Sequence, residues 1–202
     1  MNNEIYLLDC RGLHSPELYE NAYQQISEER REITDTYRLE EDKILSVGVG
    51  LLEKLIHEKH PELAEICREE EGKPFFSDHH FYLSISHAGD YAMLGISEKA
   101  LGVDVELFHC DHEIIIRHFF TADEKDYLDH CANRQKEFFE LWSRKESYIK
   151  RNVPTDIRTF SVLEPEEGME YLSYSFPEYS CVAYVDRSYE TEFRKLDISD
   201  VL

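Results

Sequence analysis

Three consecutive stretches, residues 81–88 (FYLSISHA), 91–97 (YAMLGIS) and 101–108 (LGVDVELF), alternate apolar and polar positions with the period of two that a strand imposes. A chain with this pattern at its centre must build sheet there, and the sequence on either side asks for helix. Residues 15–39 are charged and helix-favouring, and residues 42–60 carry apolar side chains at 44, 45, 47, 51, 52, 55 and 56, a helical spacing that ends at Pro61. Gly48 and Gly50 weaken that helix or let a neighbour pack closely against it. Ahead of it, IYLLD at 5–9 suits a buried strand. After the central strands, residues 112–150 return to helix, with Thr121 as N-cap and Glu124 three residues on, the spacing of a capping box. SVLEP, GMEYLSYSF and YSCVAYV read as strand again. The class is therefore α+β, and its helices-then-sheet order occurs twice, in 1–100 and 101–202, without a sequence repeat or a low-complexity linker.

Charge narrows the partners. With 22 Lys and Arg against 43 Asp and Glu, the formal net charge is −21, which repels nucleic acid and anionic membrane surfaces. Any anionic ligand needs a local basic pocket. Five cysteines without a CxxC pair argue against a disulfide framework and read as reduced thiols of a cytoplasmic protein. MNNEIYLLDC has no basic segment followed by a long apolar run, so no secretory signal is expected. No apolar stretch approaches the roughly 20 residues that a bilayer span requires.

Several local patterns carry chemistry, each with a plainer alternative. On a strand, Leu101-Gly102-Val103-Asp104-Val105-Glu106 turns Val103 and Val105 to one face and Asp104 and Glu106 to the other. Such a carboxylate pair either holds a hard cation through oxygen or is a solvated strand face. In FFELWSRKESYIK, Glu146 and Lys150 stand four apart on one helix face, with Trp142 a turn earlier. They form either an ordinary ion pair or a third metal carboxylate beside a lysine that neutralises phosphate. Ser84, Ser86 and His87 end a strand; with no GxSxG elbow, they suit anion binding better than nucleophilic catalysis. Gly72-Lys73-Pro74 is a rigid turn with one basic side chain. His109-Cys110-Asp111-His112, with His118, lacks the second cluster that a zinc site requires, and His79-His80 reads as loop surface.

The order of the blocks GKPFF, LSISHAGDYAMLGIS, LGVDVE, FFTADEKDYL and FFELWSRKESYIK closely resembles the Sfp-type 4′-phosphopantetheinyl transferases. The resemblance covers residues 72–150. It implies a monomeric pseudo-dimer of two similar α+β halves with coenzyme A bound between them. It also implies Mg²⁺-dependent transfer of 4′-phosphopantetheine from coenzyme A to a serine of an apo acyl or peptidyl carrier protein, with release of 3′,5′-ADP. By the same resemblance Asp104, Glu106 and Glu146 hold Mg²⁺, and Glu146 doubles as candidate general base. Lys150 lies near the pyrophosphate, Ser86 and His87 contact phosphates of coenzyme A, and Gly72, Lys73 and Pro74 form the turn beside the adenine. The first half departs from the family's basic pattern, leaving Lys43 and Arg38 as candidates for the 3′-phosphate, with Arg30 and Arg31 nearby. The acidic carrier is expected to dock on the apolar residues of segment 107–128, Ile114, Ile115, Ile116, Phe119 and Phe120, whose alternative is helix core. The competing function is a non-catalytic relative that binds coenzyme A or a carrier.

Overall fold

Strand β1 (Asn3–Asp9) is buried along its whole length because its apolar side chains serve two cores. Tyr6 and Leu8 pack with the helices that follow, whereas Ile5 and Leu7 pack with residues of a second sheet. The computed structural model describes residues 2–69, 72–108, 112–152 and 156–202. After a 3₁₀ turn at Cys10–His14 come α1 (Pro16–Gln25), α2 (Glu28–Thr36) and α3 (Glu40–Lys59). Proline opens α1 where its missing N–H costs nothing, and Ser27 caps α2 by accepting the Arg30 N–H. β2 (Ile66–Arg68) and β3 (Pro74–Phe76) form an antiparallel pair, and β4 (Tyr82–Ala88) and β5 (Tyr91–Ser97) another.

The second half runs β6 (Gly102–Leu107), α4 (Glu113–Phe119), α5 (Ala122–His130), α6 (Arg134–Arg151), β7 (Met169–Ser173), β8 (Tyr179–Asp186) and β9 (Thr191–Asp197). Its sheet has the order β6-β8-β7, while the first-half sheet has the order β4-β5-β1-β9. The two sheets share a core containing Ile5, Leu7, Met93, Val103, Val105 and Val185. A third core, with Phe120, Leu128, Phe138 and Phe139, lies among α4, α5 and α6.

The predicted capping box forms: Glu124 Oε2 accepts the Thr121 N–H at 2.8 Å, and Thr121 Oγ1 accepts the Glu124 N–H at 3.4 Å. SVLEP, read as strand, is not one. The Val162 N–H is taken by Glu124 Oε1 at 2.9 Å, and the carbonyls of Ile157 and Phe160 are taken by Lys145, so this backbone is satisfied by side chains. The short β2 and β3, where the sequence suggests a charged segment and a turn, are unforeseen strands, and so is β9, which pairs in parallel with β1 and stands at the sheet's edge. Among the described residues no helix is long and apolar enough to cross a membrane.

Candidate active site

Two close approaches build the site. β4 and β6, which belong to different sheets, are joined by serine hydroxyls: Ser84 Oγ accepts the Val103 N–H at 3.0 Å and Ser86 Oγ accepts the Val105 N–H at 3.3 Å. α6 lies directly on the start of β6, because a Cβ on Gly102 would come within 1.8 Å of the Ser147 carbonyl oxygen. Only glycine permits that contact, and the contact brings the face of α6 bearing Glu146 and Lys150 over the carboxylate face of β6.

The strand alternation holds as predicted. Val103 and Val105 enter the shared core, whereas Asp104 and Glu106 turn to a cavity of about 570 Å³. The same cavity is lined by Glu146, Lys150, Ser86, His87, Gly72 and Pro74. Lys73 faces a neighbouring recess of about 210 Å³ that shares Pro74 and Lys150. Lys43 and Arg38 are not among the described lining residues; Arg30 and Arg68 supply the basic charge of that wall instead. Arg30 was a poor candidate by sequence because it stands in a run of mixed charge. The signal that marks it is Gly50, where a Cβ would meet the Arg30 stem at 2.7 Å, so the glycine is what lets a long basic side chain lie buried between α2 and α3. Arg68 sits on a three-residue strand and gives no local signal.

Lys150 pairs with Asp104 rather than Glu146. Its Nζ donates to Asp104 Oδ1 at 2.7 Å and to Ser86 Oγ at 2.8 Å, and Ser86 donates in turn to Asp104 Oδ1 at 3.0 Å. Asp104 Oδ2 is buried with no hydrogen-bond partner among the described residues, although the residue is only 2% exposed. An orphaned carboxylate oxygen at that depth is costly unless something positive meets it. Burial first, then the neighbouring Asp104 and Glu146 carboxylates, push the Glu106 carboxyl up to about 7 against the opposing pull of Lys150 and the Trp142 indole. Trp142 Nε1 donates to Glu106 Oε1 at 3.2 Å. Burial and Asp104 likewise raise the Glu146 carboxyl above its usual range. Three carboxylates thus share one partly desolvated space with an excess of negative charge.

Among the described residues no three His, Cys, Asp or Glu side chains converge closely enough to hold a metal ion as they stand. The all-oxygen donors and the orphaned Asp104 oxygen nevertheless fit a hard divalent cation. Of the zinc-like cluster, His109, Cys110 and Asp111 lie outside the described residues. In the expected docking segment, Ile116 and Phe120 are core, while Ile114 and Phe119 are exposed at 63% and 37%.

The family model of the 4′-phosphopantetheinyl transferase superfamily matches residues 100–193, which span β6, α6 and the β7–β8 hairpin. A 4′-phosphopantetheinyl transferase of Bacillus pumilus, psf-1, is 30% identical over 167 residues, 78% of this chain and 72% of the relative. The chain belongs to the Sfp-type 4′-phosphopantetheinyl transferases. Two further relatives of this transferase come from Bacillus subtilis: ffp, 29% identical over 82% of this chain and 77% of the relative, and Sfp of strain 168, 28% identical over 83% and 78%. The cavity between α6 and the β4–β6 seam is therefore the place to seek the transferase's chemistry.

Proposed function

We propose that this enzyme transfers 4′-phosphopantetheine from coenzyme A to a serine of an apo acyl or peptidyl carrier protein. It releases 3′,5′-ADP and acts as a cytoplasmic monomer. The observation that carries the reading is the meeting, in one cavity, of Asp104, Glu106 and Glu146 with Lys150 and Ser86, around a buried Asp104 oxygen that lacks a partner. Displacement at a pyrophosphate needs charge neutralisation on the phosphates and a base at the incoming hydroxyl. Asp104, Glu106 and Glu146 would hold Mg²⁺, which supplies Lewis-acid neutralisation of the phosphate oxygens.

In the step itself, the carrier serine Oγ bonds to the β-phosphorus of coenzyme A. The bond from that phosphorus to the bridging oxygen breaks, and 3′,5′-ADP leaves with the electron pair. The serine proton goes to Glu146, whose carboxyl is held above its usual range by burial and the neighbouring Asp104. Lys150 and Ser86 give the pyrophosphate its ammonium and hydroxyl contacts. His87 contacts phosphate at the exit of β4, and the Gly72-Lys73-Pro74 turn borders the adenine.

The fold reading is a pseudo-dimer with its seam near residue 100. It is supported by matching order: each half begins with a strand, continues with helices, and reaches a hairpin whose second strand returns antiparallel to the first, β4-β5-β1 and β7-β8-β6, with β9 then crossing back to the first-half sheet. The exposed Ile114 and Phe119 on α4 offer the carrier an apolar footing on an otherwise acidic molecule. Incubation with coenzyme A, Mg²⁺ and several apo carriers, followed by intact-mass measurement of each, tests the reading. A phosphopantetheine increment on at least one carrier is expected, and none on any carrier refutes it.

A further inference from the structure

Arg30 and Arg68 line two cavities at once. One is the cavity of the candidate active site; the other, of about 550 Å³, is the one that Glu53 of α3 lines. Arg30 Nε donates to Glu53 Oε2 at 2.9 Å, and Arg30 Nη2 pairs with Oε1, a parallel fork. Arg68 Nη2 donates to the same Oε1 at 3.0 Å. The Arg30 and Glu53 side chains are 7% and 11% exposed. Arg68 Nε is buried without a hydrogen bond among the described residues, although Glu29 Oε1 stands 3.4 Å away.

Two guanidinium groups this close repel each other, and each has a long stem whose freedom is lost on binding a ligand. One carboxylate between them answers both costs: it screens the pair, fixes the plane of the Arg30 fork and tethers Arg68 through Nη2 before any ligand arrives. With Glu29 beside Arg68 the cluster is formally neutral, but Glu29 and Glu53 line the cavity behind, whereas both arginines also line the ligand cavity and give that side its positive charge. Coenzyme A carries a reacting pyrophosphate and a separate 3′-phosphate. The carboxylates and Lys150 account for the first, and the arginine pair is the remaining basic centre of the wall.

We propose that Glu53 is a positioning residue for coenzyme A selectivity, aiming the Arg30 and Arg68 guanidinium groups at the 3′-phosphate while touching no part of the ligand. The proposal rests on the reading that this cavity takes coenzyme A. Glu53→Gln keeps the volume but sets an amide donor against guanidinium donors, so the fork opens and the arginines separate. Two measurements read this: steady-state transfer from coenzyme A and from 3′-dephospho-coenzyme A, and calorimetric binding of 3′,5′-ADP and 5′-AMP.

Loss of an oriented charge-assisted contact should raise KM for coenzyme A about tenfold while changing that for the dephospho form by less than about twofold. Binding of 3′,5′-ADP weakens in parallel and that of 5′-AMP does not; Glu53→Asp, which keeps the charge on a shorter stem, recovers part of the discrimination. Should Glu53→Gln not fold, Arg68→Gln at the less buried partner must show the same selective loss. Equal losses on both substrates would reduce Glu53 to a structural residue and overturn the proposal. So would an unchanged ratio, no discrimination in the wild type, or tighter binding of coenzyme A. A wild-type enzyme that binds 3′,5′-ADP over 5′-AMP yet transfers nothing sinks the transferase reading and leaves this one standing.

Discussion

Gly102→Ala tests the link between packing and chemistry with the smallest possible change. The added Cβ would sit 1.8 Å from the Ser147 carbonyl oxygen and 2.9 Å from the Arg151 nitrogen, both main-chain atoms. No rotamer relieves a clash with backbone, so α6 must withdraw from β6 by roughly 1.5 Å to restore ordinary contact. Overpacking of this kind costs about 1–3 kcal/mol of stability, which a domain of this size can bear. The functional loss is larger, because Glu146 and Lys150 ride on the helix that moves while Asp104 and Glu106 stay on the strand. The Lys150 contact to Asp104, 2.7 Å in the native arrangement, would open. Misplacement of reacting groups by about 1 Å costs on the order of a hundredfold in rate. The assay is steady-state transfer to an apo carrier alongside thermal unfolding. A folded variant with kcat/KM down about a hundredfold is expected from that misplacement. Wild-type kinetics in a folded variant would show that the α6–β6 approach does not set the site geometry.

Two further outcomes follow from buried ion pairs. Lys145 is fully buried, donating to Glu124 Oε2 at 3.0 Å, to the Ile157 carbonyl at 3.1 Å and to the Phe160 carbonyl at 2.8 Å. Lys145→Met strands the Glu124 charge and two carbonyls, so urea unfolding should show a loss of about 3–5 kcal/mol; a loss under about 1 kcal/mol contradicts this account of the clamp. At the far end of α3, burial draws the Glu4 carboxyl upward, but hydrogen bonds from Lys59, Tyr6 and His60 outweigh it and hold it below 4.5. A depressed folded pKa gives stability that is present above 4.5 and lost as pH falls through the folded value. The stability gap between wild type and Glu4→Gln should therefore narrow as the pH is lowered from 7 towards 3, and a gap independent of pH would contradict the pairing.

What the sequence discloses is what local periodicity encodes. The period of two placed Asp104 and Glu106 opposite Val103 and Val105, and the period of 3.6 put Glu146 and Lys150 on one face of α6; both hold. The choice Lys150 makes between carboxylates depends on the separation of α6 from β6, which is set by one glycine and cannot be read from either element alone. The arginine wall was hidden for a similar reason: Arg30 and Arg68 lie 38 positions apart and meet only through Glu53. β9 carries no sequence signal because an edge strand tolerates the charges of TEFRKLD, and its parallel pairing with β1 is specified by no turn.

The most direct test of the central claim is the intact mass of an accepted apo carrier after incubation with coenzyme A, Mg²⁺ and, in turn, wild type, Asp104→Ala and Glu146→Ala. The carboxylate cavity predicts that wild type adds phosphopantetheine to the serine, and that each variant, folded by thermal unfolding, leaves most of the carrier unmodified. Full conversion by either folded variant would remove that residue from the site and contradict the account.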